Sequence, residues 1–173
     1  DLIFLLDSDD YFTKNKIEKV IDYFNNNKNA KIVFDYPLIV ENKNIYPEKT
    51  KLRFFKTYWP YIHPTSCISI RKNCFEELLK VISYKDFTDV WLDLKICLFS
   101  KYILKDFHII NENLTFYRKT DSNISSKFDR FSKNWWKRRM QAHQFLQKFS
   151  KDNELNFNKN FDFLITKLIC KFL

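Results

Sequence analysis

Glycine is absent from the 173 residues of this chain, and only four prolines and one methionine occur. Turns that need a left-handed backbone must therefore use other residues, and asparagine tolerates that conformation better than most. Asn and Lys stand where glycine would be expected in two polar stretches, residues 25–29 and 41–44. We expect Asn-rich turns at both places.

Long apolar runs and paired cysteines are also missing. No run reaches the roughly 18 apolar residues that a membrane-spanning helix needs. Cys67, Cys74, Cys97 and Cys170 show no C-x-x-C spacing. We therefore expect free, buried thiols and a reducing, cytoplasmic location. Because the chain begins with Asp1 inside a predicted strand, we also expect that it is a fragment of a longer protein.

Apolar, aromatic and basic residues are abundant. The chain is 45% hydrophobic and 18% aromatic, which is enough for a core. Its length suits one domain, or one domain with an appendage. Positive charge is concentrated near the end, because residues 127–173 hold 11 Lys and Arg against 4 Asp and Glu, which is +7 of the total of +9.

The order of predicted elements indicates a mixed α/β fold without internal repeats. Apolar periodicity predicts a helix over about 14–27, with Ile17, Val20, Ile21 and Phe24 on its buried face. The other predicted elements are strands at 2–6, 31–34, 66–70, 107–110 and 114–118, a hairpin of 38–40 with 44–46, and helices around 75–82, 89–102, 128–149 and 161–172.

The first chemical motif is Asp7-Ser8-Asp9-Asp10, which directly follows the apolar run 2–6. A short apolar run without alternation is typical of a strand buried on both faces. Ligands bind beyond the carboxyl ends of such strands in open α/β sheets. At a turn, Asp7 and Asp9 can both reach one Mg²⁺ or Mn²⁺, which carboxylates often hold together with substrate phosphates. The alternative is a solvated acidic turn before the next helix.

A second acidic motif lies within residues 86–93. Asp89 and Asp93 are spaced i and i+4 and would share a face of the predicted helix. A carboxylate there can act as general base on a hydroxyl. Asp89 suits the helix N-cap, which would lower its basicity, so we favour Asp93. The alternative is that one aspartate caps the helix and the other is solvated.

Two further residues are candidates for ligand contacts. Arg118 follows a predicted strand and can bind phosphate with two parallel hydrogen bonds, although it can equally be a surface residue. His63 precedes the strand 66–70 and can contact an acceptor or a metal, although a lone histidine is more often structural.

In this order the motifs resemble the later part of a GT-A glycosyltransferase of the family 2 type, over roughly residues 1–125. In that family a buried strand ends in D-x-D, here Asp7 to Asp9, and an acidic motif opens a later helix. Asp89-Val90-Trp91-Leu92 is similar to its Asp-Leu-Trp part, but Phe87 stands where the family has another acid. The stretch 114–125 is similar to its Tyr-Arg segment near the diphosphate.

The resemblance implies a partial GT-A fold, Rossmann-like with a mixed sheet, that lacks the N-terminal nucleotide-binding half. Residues 126–173 would be a basic helical extension. The implied reaction is metal-dependent, inverting transfer from a nucleotide-diphosphate sugar to a glycan or lipid-linked acceptor, as in envelope polysaccharide synthesis. Asp7 and Asp9 would bind Mn²⁺ or Mg²⁺, and with Arg118 the diphosphate. The base would be Asp93 or Asp89, and the acceptor would contact His63 and Trp91. This fragment alone is expected to be inactive.

Two other classes of function remain open. A non-catalytic domain could keep the fold, since the acidic motif is imperfect. A basic nucleic-acid-binding module fits the pI of about 9.3 and the many aromatics, but the positive charge avoids the body of the chain. The basic tail with its amphipathic stripes predicts either helices packed on the protein or attachment to an anionic membrane surface.

Overall fold

The chain folds into two compact units. The structure, a computed structural model, describes residues 1–48, 59–88, 90–120, 128–157 and 161–173. The first unit comprises Asp1–Ile82 and Leu92–Lys119, and the second comprises Ser83–Trp91 and Thr120–Leu173. The expected mixed α/β architecture is confirmed, because the first unit contains a mixed sheet with helices packed against it.

One six-stranded sheet organises the first unit. Its strands are β1 (Leu2–Phe4), β2 (Tyr11–Phe12), β3 (Ile32–Glu41), β4 (Asn44–Pro47), β5 (Ile68–Arg71) and β6 (His108–Arg118). They are ordered β1-β5-β3-β6-β2, and β4 pairs with β3 outside this order. Among the described strands β3 and β6 pair in parallel, and the four other pairings are antiparallel.

The surroundings of β1 differ from the prediction. The sequence predicts a strand over residues 2–6 that is buried on both faces. The strand is Leu2–Phe4, its side chains are half-buried, and within the described residues it pairs with β5 alone. A strand with one neighbour is covered less than a central strand such as β3. The apolar run therefore corresponds to an edge strand and the start of a loop.

The predicted hairpin is confirmed. β3 and β4 pair antiparallel from Leu38 opposite Pro47 to Glu41 opposite Asn44. The connecting residues, Asn42 and Lys43, have φ angles of 48° and 67°. Such left-handed values suit a two-residue type I′ turn, which matches the twist of the flanking strands. The strand predicted at 31–34 continues into this hairpin, so that β3 is one long strand.

Three helices pack on the two faces of the sheet: α1 (Lys16–Asn26), α2 (Lys72–Ile82) and α3 (Leu92–Leu98). Ile32 and Phe34 of β3 belong to a buried cluster with residues of α2 and α3. Val33, between them, packs with residues of α1. Because successive side chains of a strand point to opposite faces, α1 covers one face while α2 and α3 cover the other.

The buried face of α1 is rotated from the predicted one. Lys16, Val20 and Phe24 are its buried residues, at the spacing i, i+4 and i+8. Ile17 and Ile21, which we expected in the core, are 52% and 40% exposed. Lys16 therefore occupies a core position, whereas the apolar pattern predicts Ile17 there.

α3 is shorter than the predicted helix over 89–102. It covers Leu92–Leu98 and continues as a π-helical turn, Phe99–Leu104. Lys105 follows with φ of 53°, a left-handed conformation that ends the turn. Asp93 lies in the first turn of α3, whereas Asp89, with which we expect it to share a helix face, lies outside the described residues.

The second unit contains two long helices, α4 (Lys133–Asp152) and α5 (Phe161–Phe172), close to the predicted 128–149 and 161–172. Ser132 caps α4, since its Oγ accepts a hydrogen bond of 3.2 Å from the Trp135 N–H. The buried apolar residues of these helices are Ala142, Phe145, Leu146, Phe149 and Phe163.

Two expectations from the absences in the sequence can be compared with the structure. All four cysteines are free, as expected, and Cys170 is half-buried while the other three are buried. In the ranges that the structure describes, no helix combines the length and the hydropathy needed to cross a membrane.

Candidate functional site

The acidic loop after β1 is fixed by hydrogen bonds to the start of β5. The Asp7 N–H donates to Ser66 Oγ at 3.0 Å, and the Asp10 N–H donates to the Asp7 carbonyl at 3.1 Å, which closes a tight turn. Ser66 is itself buried in a short 3₁₀ turn that leads into β5. The loop therefore presents its aspartates from a backbone held at both ends.

Asp10 is the carboxylate that the structure uses internally. Its side chain is buried, and Oδ2 accepts from Ser66 Oγ at 2.6 Å while Oδ1 accepts from the Arg118 N–H at 2.9 Å. The sequence motif was read as Asp7 and Asp9, so Asp10 was missed. Its position directly before β2 was the available signal, because β2 pairs with β6, and β6 ends at Arg118.

Asp7 and Asp9 are the more accessible acids of the loop. Asp7 is exposed and Asp9 is half-buried. The pKa of the Asp7 carboxyl is raised, first by its partial burial and then by the negative charges of Asp10 and Asp9. Three carboxyl groups in one short loop repel each other when ionised. A bound cation would relieve that repulsion.

These residues fit a cation only when a ligand completes the coordination. Within the described part of the chain, no group of three or more His, Cys, Asp or Glu side chains is arranged to hold a metal ion. Because the Asp10 carboxylate already accepts two hydrogen bonds, Asp7 and Asp9 are the carboxylates left to coordinate a cation. Mg²⁺ is often bound by one or two carboxylates together with substrate phosphates and waters. The donor set thus fits a cation that arrives with a diphosphate.

Asp7 and Asp93 line the same cleft of the first unit. The cleft has a volume of about 210 Å³, and its charged lining residues are Asp7, Glu48, Asp93 and Lys119. The two aspartates come from opposite parts of the chain, one after β1 and the other in the first turn of α3. The fold therefore brings together the residue predicted to bind metal and the residue favoured as the base.

Asp93 is partly committed to the backbone of its own helix. Its Oδ1 accepts a hydrogen bond of 2.7 Å from the Leu94 N–H. From the sequence we expect Asp89, and not Asp93, to accept hydrogen bonds from the helix backbone. A hydrogen bond to the charged form lowers the basicity of a carboxylate. Asp89 lies outside the described residues.

Arg118 lies beside the acidic loop. Its backbone N–H holds Asp10, and its guanidinium carbon lies 5.6 Å from the ring centroid of Tyr11. Its neighbours Tyr117 and Lys119 line the cleft, and Arg118 is not among the lining residues. Side chains alternate along a strand, so 117 and 119 share a side. Lys119 is therefore the cation that the cleft offers to an anionic ligand, and the sequence reading missed it.

His63 is enclosed by the core. Its side chain is fully buried, its Nδ1 lies 2.9 Å from the Asp35 carbonyl oxygen, and its ring stacks on Phe34 with centroids 4.9 Å apart. Burial lowers the pKa of the imidazole to about 4. The ring is therefore neutral at physiological pH and presents no surface to an acceptor. Its neighbours in sequence, Ile62 and Pro64, line the cleft instead.

A buried ion pair contacts Ser66, the residue that holds the acidic loop. Lys16 Nζ lies 2.8 Å from Asp35 Oδ2 and donates to the Ser66 carbonyl and to Thr115 Oγ1, each at 2.6 Å. Thr115 Oγ1 in turn lies 2.7 Å from Asp35 Oδ1. Burial raises the pKa of the Asp35 carboxyl more than Lys16 and its other partners lower it. Ser66 thus links this buried charge pair to Asp7 and Asp10.

Trp91 belongs to the second unit. The guanidinium carbon of Arg138 lies 4.4 Å from the Trp91 ring centroid and 4.2 Å from that of Phe128. Arg138 is only 9% exposed. Its cation is held between two aromatic rings, a favourable contact for a desolvated guanidinium.

No protein-family model matches the chain, and no curated protein has a significant sequence match to it.

Proposed function

We propose that the chain is part of a metal-dependent glycosyltransferase of GT-A type. It moves a sugar, with inversion, from a nucleotide-diphosphate donor to a glycan or lipid-linked acceptor. The observation that carries the proposal is the common cleft of Asp7 and Asp93. The sequence predicts metal binding for Asp7 and the role of general base for Asp93. Both residues line this cleft, although they are far apart in the sequence.

The roles divide according to the surroundings of each carboxylate. Asp7 and Asp9 would hold Mn²⁺ or Mg²⁺, and the cation would stabilise negative charge on the departing diphosphate as a Lewis acid. Lys119 lines the same cleft and would bind a diphosphate oxygen. It would share this role with Arg118, the phosphate contact that the sequence predicts.

Asp93 would accept the proton of the acceptor hydroxyl. A positioned carboxylate contributes about 10²–10⁴-fold to such a step. The hydrogen bond from the Leu94 N–H to Oδ1 would help to fix the orientation of the carboxylate. Asp10 and Ser66 are positioning residues in this scheme, since they hold the loop and do not line the cleft.

The cleft is large enough to hold only part of the donor molecule. Drug-sized ligands occupy pockets of about 300–1,000 Å³, whereas this cleft has about 210 Å³. That volume suits a monosaccharide with part of a diphosphate. The base and ribose would be bound by residues outside the cleft, as the resemblance implies.

The test measures donor hydrolysis and transfer by the full-length protein with a panel of UDP-, GDP- and dTDP-sugars, with Mn²⁺ and with EDTA. Asp93→Asn should lower kcat by at least about 100-fold and leave the donor Kd nearly unchanged. Asp7→Asn and Lys119→Gln should instead weaken donor binding, and only the Asp7 variant should lose the response to Mn²⁺.

Asp22→Asn is the matched control, because Asp22 is an exposed aspartate on α1 that does not line the cleft. It should behave as the unchanged protein. A protein that binds and hydrolyses none of these donors would overturn the proposal and favour a non-catalytic domain. Full activity of Asp93→Asn would remove the base from the scheme.

A further inference from the structure

The outer face of α5 exposes an unusual amount of apolar surface. We define this face by its five large apolar side chains, with their exposed fractions: Phe161 77%, Leu164 51%, Ile165 37%, Leu168 59% and Phe172 79%. With about 100° of rotation per residue, all five lie on one side of the helix. Isolated exposed apolar residues are ordinary, but a contiguous set marks an interaction surface.

The opposite side of α5 is already occupied. Phe163 and Thr166 are buried, and Cys170 Sγ lies 3.4 Å from the Trp136 carbonyl oxygen of α4. Near the start of α5, the Asp162 carboxylate forms an ion pair with Arg139 of α4 and lies 3.3 Å from the His143 Nε2. The orientation of α5 against α4 is therefore fixed by packing and by charge, and the outer face is the side left to solvent.

Lysines flank this apolar face. Lys167 and Lys171 are exposed and lie one turn apart beside Leu164 and Leu168. The one acidic residue of α5, Asp162, is neutralised by its partners on α4. An apolar strip bordered by lysines matches an anionic lipid surface, because the apolar side chains enter the acyl region while the ammonium groups stay among the headgroups.

We infer that the outer face of α5 docks on an anionic lipid surface. This inference does not rest on the proposed reaction, although a lipid-linked acceptor would be found at such a surface. A second copy of the chain is a weaker candidate. A 12-residue helix is about 18 Å long, and one face of it offers far less than the roughly 800 Å² per partner of a stable dimer. A nucleic acid would be recognised through stacking aromatics and cations, whereas this face is mainly aliphatic at its centre.

Two arginines of α4 are engaged in contacts within the second unit. Arg138 lies between Trp91 and Phe128, and Arg139 forms an ion pair with Asp162. Changing them would disturb the packing of the second unit. Lys167 and Lys171 are the cleaner choice because they are exposed and have no ion-pair partner among the described residues.

The experiment measures sedimentation of the whole chain with vesicles of phosphatidylcholine alone and with vesicles of phosphatidylcholine mixed with the anionic lipid phosphatidylglycerol. Binding should be strong to the anionic vesicles and weak to the neutral ones. Lys167→Gln with Lys171→Gln should reduce anionic binding about 30-fold, since each lysine contributes about fivefold. Leu164→Ser with Leu168→Ser should abolish binding to both.

Matched controls come from the first unit. Ile17→Ser with Ile21→Ser changes two exposed apolar residues at the same i, i+4 spacing on α1, and Lys14→Gln with Lys80→Gln removes two exposed lysines. Both pairs should bind like the unchanged chain. Circular dichroism and light scattering on every variant report folding and mass.

Failure of the unchanged chain to sediment with anionic vesicles at low salt overturns the inference. So does equal loss of binding in the α1 controls. A mass that falls from dimer to monomer in Leu164→Ser with Leu168→Ser, without vesicle binding by the parent, identifies a second copy as the occupant. Donor turnover is not measured here, so the result is independent of the proposed reaction.

Discussion

Lys16→Met tests whether the buried ion pair supports the fold and the acidic loop. Methionine has an unbranched apolar side chain, one heavy atom shorter than that of lysine, and carries no charge. Asp35 would then be a buried carboxylate without its cation, and the Ser66 carbonyl would lose its donor. Breaking a buried pair in this way costs about 3–5 kcal/mol. Since whole domains unfold with about 5–15 kcal/mol, the loss would be a large share of the stability of the first unit.

The cost should depend on pH, because protonation of Asp35 removes the uncompensated charge. The pKa of Asp35 is already raised by burial, and loss of Lys16 removes a group that lowers it. A carboxyl whose pKa is higher in the folded state than in the unfolded state loses stability as pH rises between the two values. The deficit of Lys16→Met should thus grow as pH rises above the unfolded value of about 4 and should shrink as pH falls toward it.

The measurement is urea unfolding at several pH values, with amide exchange of β3 and β6 to report the first unit. Lys19→Met on the same helix is the matched control. Lys19 forms an ion pair with Glu112 in which both side chains are more than a third exposed, and such surface pairs contribute only about 0–1 kcal/mol. A deficit below about 1 kcal/mol for Lys16→Met, or one that stays constant with pH, would refute the reasoning.

Three further predictions follow from single contacts. Asp10→Ala should destabilise the first unit by about 1–3 kcal/mol in urea, because Ser66 Oγ and the Arg118 N–H lose their acceptor; an unchanged midpoint would contradict this. Asp10→Asn should lower the pKa of Asp7, measured by NMR titration, since the charge at Asp10 helps to raise it; a constant value would show that burial and Asp9 account for the shift. Lys43→Gly should stabilise the β3–β4 hairpin by about 1 kcal/mol in thermal unfolding, because φ at Lys43 is 67°, and a loss of stability would speak against strain there.

The sequence predicts the elements of this fold where the pattern is local. The β3–β4 hairpin follows from two apolar runs around a polar turn, and α4 and α5 follow from apolar spacing over many turns. α3 was placed too long because its apolar residues continue through the π-helical turn Phe99–Leu104, and spacing alone does not separate the two.

Only part of the candidate site can be predicted from the sequence. The cleft contains Asp7 and Asp93 because distant segments meet, and the motif order suggested that they would. Lys16 was not foreseen, since a lysine at a helix start is usually solvated and nothing local shows that Asp35 and Thr115 will enclose it. Its contacts to Ser66 and Thr115 span 50 and 99 residues. Partners at such separations are set by the sheet order, which was not predicted.

The lack of glycine has a consequence for the unfolded chain. Among the described residues, five have left-handed φ angles: Asn42, Lys43, Lys105, Phe131 and Glu154. Each such conformation costs roughly 1–2 kcal/mol, less for asparagine. A chain without glycine, however, has fewer backbone conformations when unfolded, and so loses less entropy on folding. Local strain in the folded turns is thereby offset by a more restricted unfolded ensemble, and the stability of this protein depends on both states.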